Sequence, residues 1–192
     1  MSTVINYKDS LIKGHLEVVK LHEDGTEEVH FSDQNVITSG MGHTLLKAFN
    51  AQGDESIEDF QIRYFQLGFG GLNTRQVSST GDLGYAFDRP SYSLVDFELS
   101  EHDLSSGTPV SGSVFGVIPI PFIKKVSPTR VMYQIVLGAE ACVGRTMNEI
   151  GLFSKNPDQS SVEGSYLCAY RYFTPLIKTG SISVIFRWTI EF

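Results

Sequence analysis

With 192 residues the chain is long enough to fold as one domain burying about 70% of its unfolded surface, so it needs no disulfide or metal staples. A content of 41% hydrophobic and 19% charged residues rules against a disordered or fibrous chain. The net charge of -7 at pH 7 argues against nucleic acid or an anionic membrane as the main ligand, because both call for a basic footprint.

No apolar run approaches the roughly 18 residues of a membrane span, and residues 1–10 lack a basic segment followed by an apolar one. The chain is therefore expected to be made in the cytoplasm and not to cross a membrane. Cys142 and Cys168 are the only cysteines and neither sits in a CxxC or catalytic signature. Two buried free thiols are the expectation, with a Cys142–Cys168 disulfide as the alternative.

Residues 1–13 read as an N-terminal arm and residues 14–192 as a single domain. Residues 14–21 and 26–31 are strand-like and flank His22-Glu23-Asp24-Gly25, where Asp-Gly favours a two-residue turn with positive φ. The resulting hairpin sets Lys20 beside Val29 and Val18 beside Phe31. Met41, Leu45, Ala48 and Phe49 then recur at helical spacing, predicting one short helix over about residues 40–51 that packs on the sheet, with Ser39 or Thr38 as N-cap.

Residues 61–69 alternate, with Phe65, Leu67 and Phe69 on one face, and end in the turn Gly68-Phe69-Gly70-Gly71. From residue 72 the texture changes to Gly, Ser and Asp with scattered aromatics, among them Tyr85, Phe87, Tyr92 and Phe97, and only residues 91–99 read as a strand. This predicts a long excursion over about residues 72–125. Connections above about 15 residues are usually functional or ordered by a partner, which makes the segment the first interface candidate.

A strand over residues 112–118 is stopped by Pro119 and Pro121, since proline offers no ladder donor. Residues 130–137, 147–153 and 166–173 read as further strands, the last two separated by the turn-rich Asn156-Pro157-Asp158-Gln159-Ser160-Ser161. In the closing stretch Ile182, Val184, Phe186, Trp188, Ile190 and Phe192 alternate without a break. A period of two gathers all six on one face of a strand, so the C-terminus is expected to be a core element whose deletion unfolds the protein. About nine strands and one helix make the expected fold mainly β, an antiparallel β-sandwich with one short helix and the long excursion.

Chemistry is sparse. Gly68-Phe69-Gly70-Gly71 lacks the Lys-Ser/Thr of a phosphate loop, and no helix follows it. His15, His22, His30, His43 and His102 form no ligand-spaced pair, and in the predicted hairpin His30 faces Val19, away from His15. The acidic runs Glu23, Asp24, Glu27, Glu28 and Asp54, Glu55, Glu58, Asp59 read as a solvated turn and loop rather than converging catalytic carboxylates. No activated-nucleophile signature is present. Neither enzymatic activity nor a metal or cofactor is expected. Tyr166, Tyr170, Tyr172 and Phe173, with Arg171, could form a sugar-binding platform, but on one strand half of these rings must point inward, and core packing explains them more economically.

Three C-terminal pieces carry a resemblance: Met147-Asn-Glu-Ile-Gly-Leu-Phe153, Tyr166-Leu-Cys-Ala-Tyr-Arg-Tyr-Phe-Thr-Pro175, and the run from Ile177 through Lys178-Thr179 to Trp188 and Phe192. In this order they resemble the ending of many tailed-bacteriophage structural proteins. Residues 14–32 resemble the opening hairpin of such proteins, residues 35–49 their Asn-x-Ile-Thr segment plus helix, and Phe65-Gln-Leu-Gly-Phe-Gly70 their Leu-Gly-x-Gly piece. The middle, residues 72–125, departs from the shorter members.

The resemblance implies a non-enzymatic virion component, made in the host cytoplasm and located in the virion, most naturally in the tail, neck or baseplate. Its partners would be other virion proteins in a symmetric multi-copy assembly, where repetition makes avidity stand in for individual affinity. A capsid-surface decoration protein and a carbohydrate-binding β-sandwich that takes a host glycan are the alternatives. Candidate partner contacts are Tyr85, Phe87, Tyr92, Phe115 and Phe122, with residues 1–13 as a clasp on a neighbour.

Overall fold

The computed structural model describes residues 12–50, 60–68, 114–154 and 166–192. Alternating apolar residues build nine strands: β1 (Lys13–His22), β2 (Glu27–Ile37), β3 (Ile62–Gly68), β4 (Val114–Val117), β5 (Ile123–Ser127), β6 (Arg130–Leu137), β7 (Thr146–Ser154), β8 (Tyr166–Ile177) and β9 (Ile182–Glu191). One helix, α1 (Ser39–Phe49), follows β2. The strands form one antiparallel sheet in the order β4-β3-β7-β8-β2-β1-β9-β6-β5. The prediction of a mainly β, antiparallel fold with one short helix therefore holds for the described residues.

The sheet is curled, and its connectivity requires it. Laid flat, nine strands would hold the two edges roughly 38 Å apart. Yet β4 and β5, the opposite edges, are joined by residues 118–122, and the Cα steps from Val117 to Ile123 span at most about 21 Å. The connection is a Pro119-led 3-10 turn over Ile120–Phe122, tied down by Ile118 N–H donating to the Arg63 carbonyl at 2.6 Å. Both halves of this half-barrel line one core: Leu16 and Val18 of β1, Ile135 and Leu137 of β6, and Phe186 and Trp188 of β9 share a cluster with Phe65 of β3, Ile150 of β7 and Phe173 of β8.

Strand β2 joins the two halves. It pairs with β1 from Glu27 to Asn35 and then with β8 only through Val36–Tyr170 and Ile37–Ala169. Below that short joint, side chains bridge β2 and β8. Phe31 meets Phe173 with ring centroids 6.1 Å apart, Arg171 pairs with Asp33, and His30 Nε2 lies 2.9 Å from the Thr174 carbonyl.

The hairpin differs from its prediction in an instructive way. Asp24 does not adopt positive φ, whereas Gly25 does (φ 83°), and His22 N–H bonds the Thr26 carbonyl across a three-residue loop. Asp24 Oδ1 accepts from Thr26 N–H at 2.9 Å, which favours this longer turn over the two-residue one. The register near the tip shifts by one, so Lys20 faces Glu28 and Val19 faces Val29. A bulge between Val18 and Val19 then restores the predicted Val18–Phe31 pair and keeps Phe31 toward the core.

Two strands extend past their predicted limits. Residues 34–37 continue β2, and β8 continues through Pro175 to Ile177, where the ladder with β7 is irregular between Met147 and Glu149 and can omit a donor. Strand β5 lies inside the predicted excursion, and β4 takes the place of the strand expected over residues 112–118. The strand expected over residues 91–99 lies outside the described residues.

Helix α1 packs by only part of its predicted stripe. Met41 is buried and Leu45 half-buried, but Ala48 and Phe49 are exposed, Phe49 at 87%. Thr38 holds the N-cap backbone position without capping the helix, because its hydroxyl instead donates to the Leu167 carbonyl on β8. Thr38 N–H bonds the Cys168 carbonyl at 3.1 Å, which fixes the helix entry on β8. At Gly40 a Cβ would fall 2.0 Å from the Leu167 carbonyl oxygen, so only glycine permits this approach.

Candidate assembly surfaces

On the outer face of β1 and β9, Arg187 donates to Glu17 at 3.0 Å and to Glu27 at 2.5 Å. Glu17 faces Arg187 across the ladder, while Glu27 lies on the far side of Val19, facing Leu21. Bridging them lays the arginine side chain over Val19, an outward-facing valine with no exposed surface. Val19 belongs to a cross-strand row running Val136, Ile185, Val19, Val29. The ends of that row, Val136 and Val29, are 38% and 57% exposed.

The β5 edge has a different character. Ile120, Phe122 and Val126 are exposed, and Lys124 and Lys125 stand between them, also exposed. Among the described residues neither lysine takes part in an ion pair, whereas Lys20, Arg130, Arg171 and Arg187 all do. Two prolines, two lysines and a bulge between Lys125 and Ser127 keep this edge from pairing indiscriminately.

Polar groups inside the protein serve as anchors. Lys178 has no exposed surface, and its ammonium donates to the carbonyls of Ala139 at 2.6 Å, Thr179 at 2.9 Å and Ile182. Three donors meet three acceptors, which clamps the β6–β7 connection onto the β8–β9 turn. The backbone adds Lys178 N–H to the Arg145 carbonyl and Gly144 N–H to the Lys178 carbonyl, at 2.9 and 2.8 Å. Burial pushes the Lys178 ammonium below the ordinary lysine value, opposed by the neighbouring acidic groups of Cys142 and Glu140.

On the face of β7 and β8 turned away from the main core, Tyr170 donates its hydroxyl to Glu149 Oε2 at 2.6 Å. Glu149 presses on Gly68 of β3, where a Cβ would lie 2.4 Å from Glu149 Oε1. Phe153, Leu167 and Tyr170 form a second buried cluster there, joined by Tyr64 and Tyr172. Beneath α1, the Thr44 hydroxyl lies 2.7 Å from that of Ser154 and 3.4 Å from Cys168 Sγ. Cys142 and Cys168 are both free and buried, and burial pushes both thiols above their ordinary value. Such thiols stay protonated at neutral pH and pack as small apolar groups.

Of the predicted contact residues, Tyr85, Phe87 and Tyr92 lie outside the described residues, as does His102. Phe115 is on β4 opposite Gln66, and Phe122 is 37% exposed beside β5. The aromatic platform does not assemble: Phe173 joins the main core and Tyr170 the cluster on the opposite face. Tyr166 stacks on His43, and Arg171 lies over the rings of Phe31 and Tyr172 at 5.3 and 5.1 Å. His15 and His22 contact Ser32 and Glu28 instead of each other. Among the described residues no three His, Cys, Asp or Glu side chains group as a metal site, and no helix is long and apolar enough to cross a membrane.

Sequence reasoning passed over Lys178, the Arg187 bridge and the apolar flanks of β5. For Lys178 the only sequence signal is a lysine between apolar Ile177 and a Thr-Gly turn. No family of known proteins, no curated protein and no solved structure matches this chain.

Proposed function

We propose that this chain is a non-enzymatic structural component of a tailed phage particle, placed in the tail, neck or baseplate and acting through protein–protein contacts. The supporting observation is the use made of the pieces that carry the resemblance. The opening hairpin, the Phe65–Leu67 segment, Met147 to Leu152 and the Trp188 strand all contribute to one core, while Tyr170 on Glu149 and the Lys178 ammonium on the Ala139 and Ile182 carbonyls fasten the C-terminal pieces. In this reading the two halves of the curled sheet, β2-β1-β9-β6-β5 and β4-β3-β7-β8, are the leaves of a β-sandwich. Such a body is a rigid carrier of surfaces, and its outer face and β5 edge supply them.

Purified particles labelled with gold-conjugated antibody against this chain, viewed by electron microscopy, test the proposal. Label at the tail, neck or baseplate is the expected result. Label spread over the head transfers the reading to capsid decoration, and intact particles without label overturn it.

A further inference from the structure

We infer that two copies of this chain pair through α1, the helices lying antiparallel about a two-fold axis beside Leu46. The inference goes beyond the particle reading and does not depend on it. Helix α1 is fixed on β8 through Thr38 and Gly40, yet its outward ridge is exposed. Leu46 is 65% and Phe49 87% exposed, the two most exposed large apolar side chains among the described residues. Gly42 stands on the same ridge, one turn before Leu46 and two turns before Phe49.

Gly42 selects the occupant of that ridge. Glycine inside a helix costs stability relative to alanine. At Gly40 the Leu167 carbonyl demands it, but a Cβ on Gly42 would meet nothing within 4 Å, so no contact among the described residues calls for glycine there. What Gly42 provides is a shallow socket on a ridge whose other end carries an exposed ring. Knob and socket lie two turns apart on one helix, so they match when a second copy lies antiparallel: Phe49 of each copy covers Gly42 of the other, and the two Leu46 side chains meet at the axis. Antiparallel packing also sets the positive end of each helix dipole beside the negative end of the other. The same patch serves on both copies, so the contact closes as a dimer and does not propagate. Two helices of 11 residues cover well under the roughly 800 Å² per partner of a standard interface, so the expected dissociation constant is weak, on the order of 100 µM.

Sedimentation velocity of the full chain from about 10 µM to about 1 mM is the test. Dimerisation is expected, and salt should strengthen it, because each copy carries a net charge of -7 while the contact itself is apolar. Phe49→Gln removes the knob and should weaken dimerisation about 10-fold or more. Gly42→Gln fills the socket and should weaken it as much, yet raise the thermal midpoint of the fold, since helix propensity improves where nothing obstructs a side chain. Leu46→Cys puts a thiol at the axis, and mild oxidation should link two copies covalently, the native Cys142 and Cys168 being buried. A parent chain that stays monomeric, glutamine variants that dimerise as the parent does, association that recedes as salt is raised, or a Leu46→Cys chain that does not cross-link would each overturn the inference. If Phe49→Gln fails to fold by circular dichroism, Gly42→Gln, at an open position, decides the matter by itself.

Discussion

Strands β9 and β7 are neighbours of the same core, yet they are buried in different ways. In β9 the alternate residues Ile182, Val184, Phe186, Trp188 and Ile190 are buried, while Ser183, Arg187, Thr189 and Glu191 between them are half-buried. In β7 every residue from Met147 to Ser154 is buried, including Asn148 and Glu149. Strand β9 has a core face and a partly wet face, whereas β7 is enclosed on both sides. A polar group on β9 can therefore turn to water, whereas one on β7 or β8 must find its partner inside the protein.

Mutations graded along this contrast should separate the two environments. The largest effect belongs to the shared core: Trp188→Ala removes its largest fully buried side chain and should cost about 4 kcal/mol in chemical denaturation. Lys178→Met keeps the bulk but leaves the buried Ile182 carbonyl and the part-buried Ala139 and Thr179 carbonyls without their donor, for an expected loss on the order of 3 kcal/mol by the same measurement. Tyr170→Phe takes the hydroxyl from the buried Glu149 and should cost about 2 kcal/mol.

Gly40→Ala sharpens the contrast through its sign. Helix propensity alone would gain up to about 1 kcal/mol. Contact with the Leu167 carbonyl should instead make it a loss of about 1.5 kcal/mol in thermal or denaturant melts. Smallest of all, Arg187→Ala on the wet face should cost about 1 kcal/mol or less, because its ion pairs are partly exposed, and salt should shrink the difference further.

The same contrast decides what could be read in the sequence. Residues 182–190 announce themselves because a strand with one wet face must alternate. The run Met147-Asn148-Glu149-Ile150 is recognisable as a strand, but its double burial is not, since Asn and Glu ordinarily mark solvent. The hairpin tip differs by one residue from its sequence pattern because Asp24 bonds Thr26, while the bulge that restores the deeper register leaves no mark in that pattern. The helical stripe overstated what α1 buries, for Phe49 lies beyond the part of the helix that β8 covers. Of the assembly surface, Phe122 was legible as an aromatic in an irregular stretch. That Lys124 and Lys125 stand outside the ion pairs of the described residues emerges only from the structure.

Native-state hydrogen exchange followed by peptide mapping tests most directly whether one core holds both halves of the sheet. Amides of residues 147–154 on β7 and of residues 182–190 on β9 should exchange at one common rate, that of global unfolding, and Trp188→Ala should accelerate both equally. If β7 and β8 kept their protection while β1, β6 and β9 lost theirs, the two halves would be separate cooperative units and the account of a single shared core would be wrong.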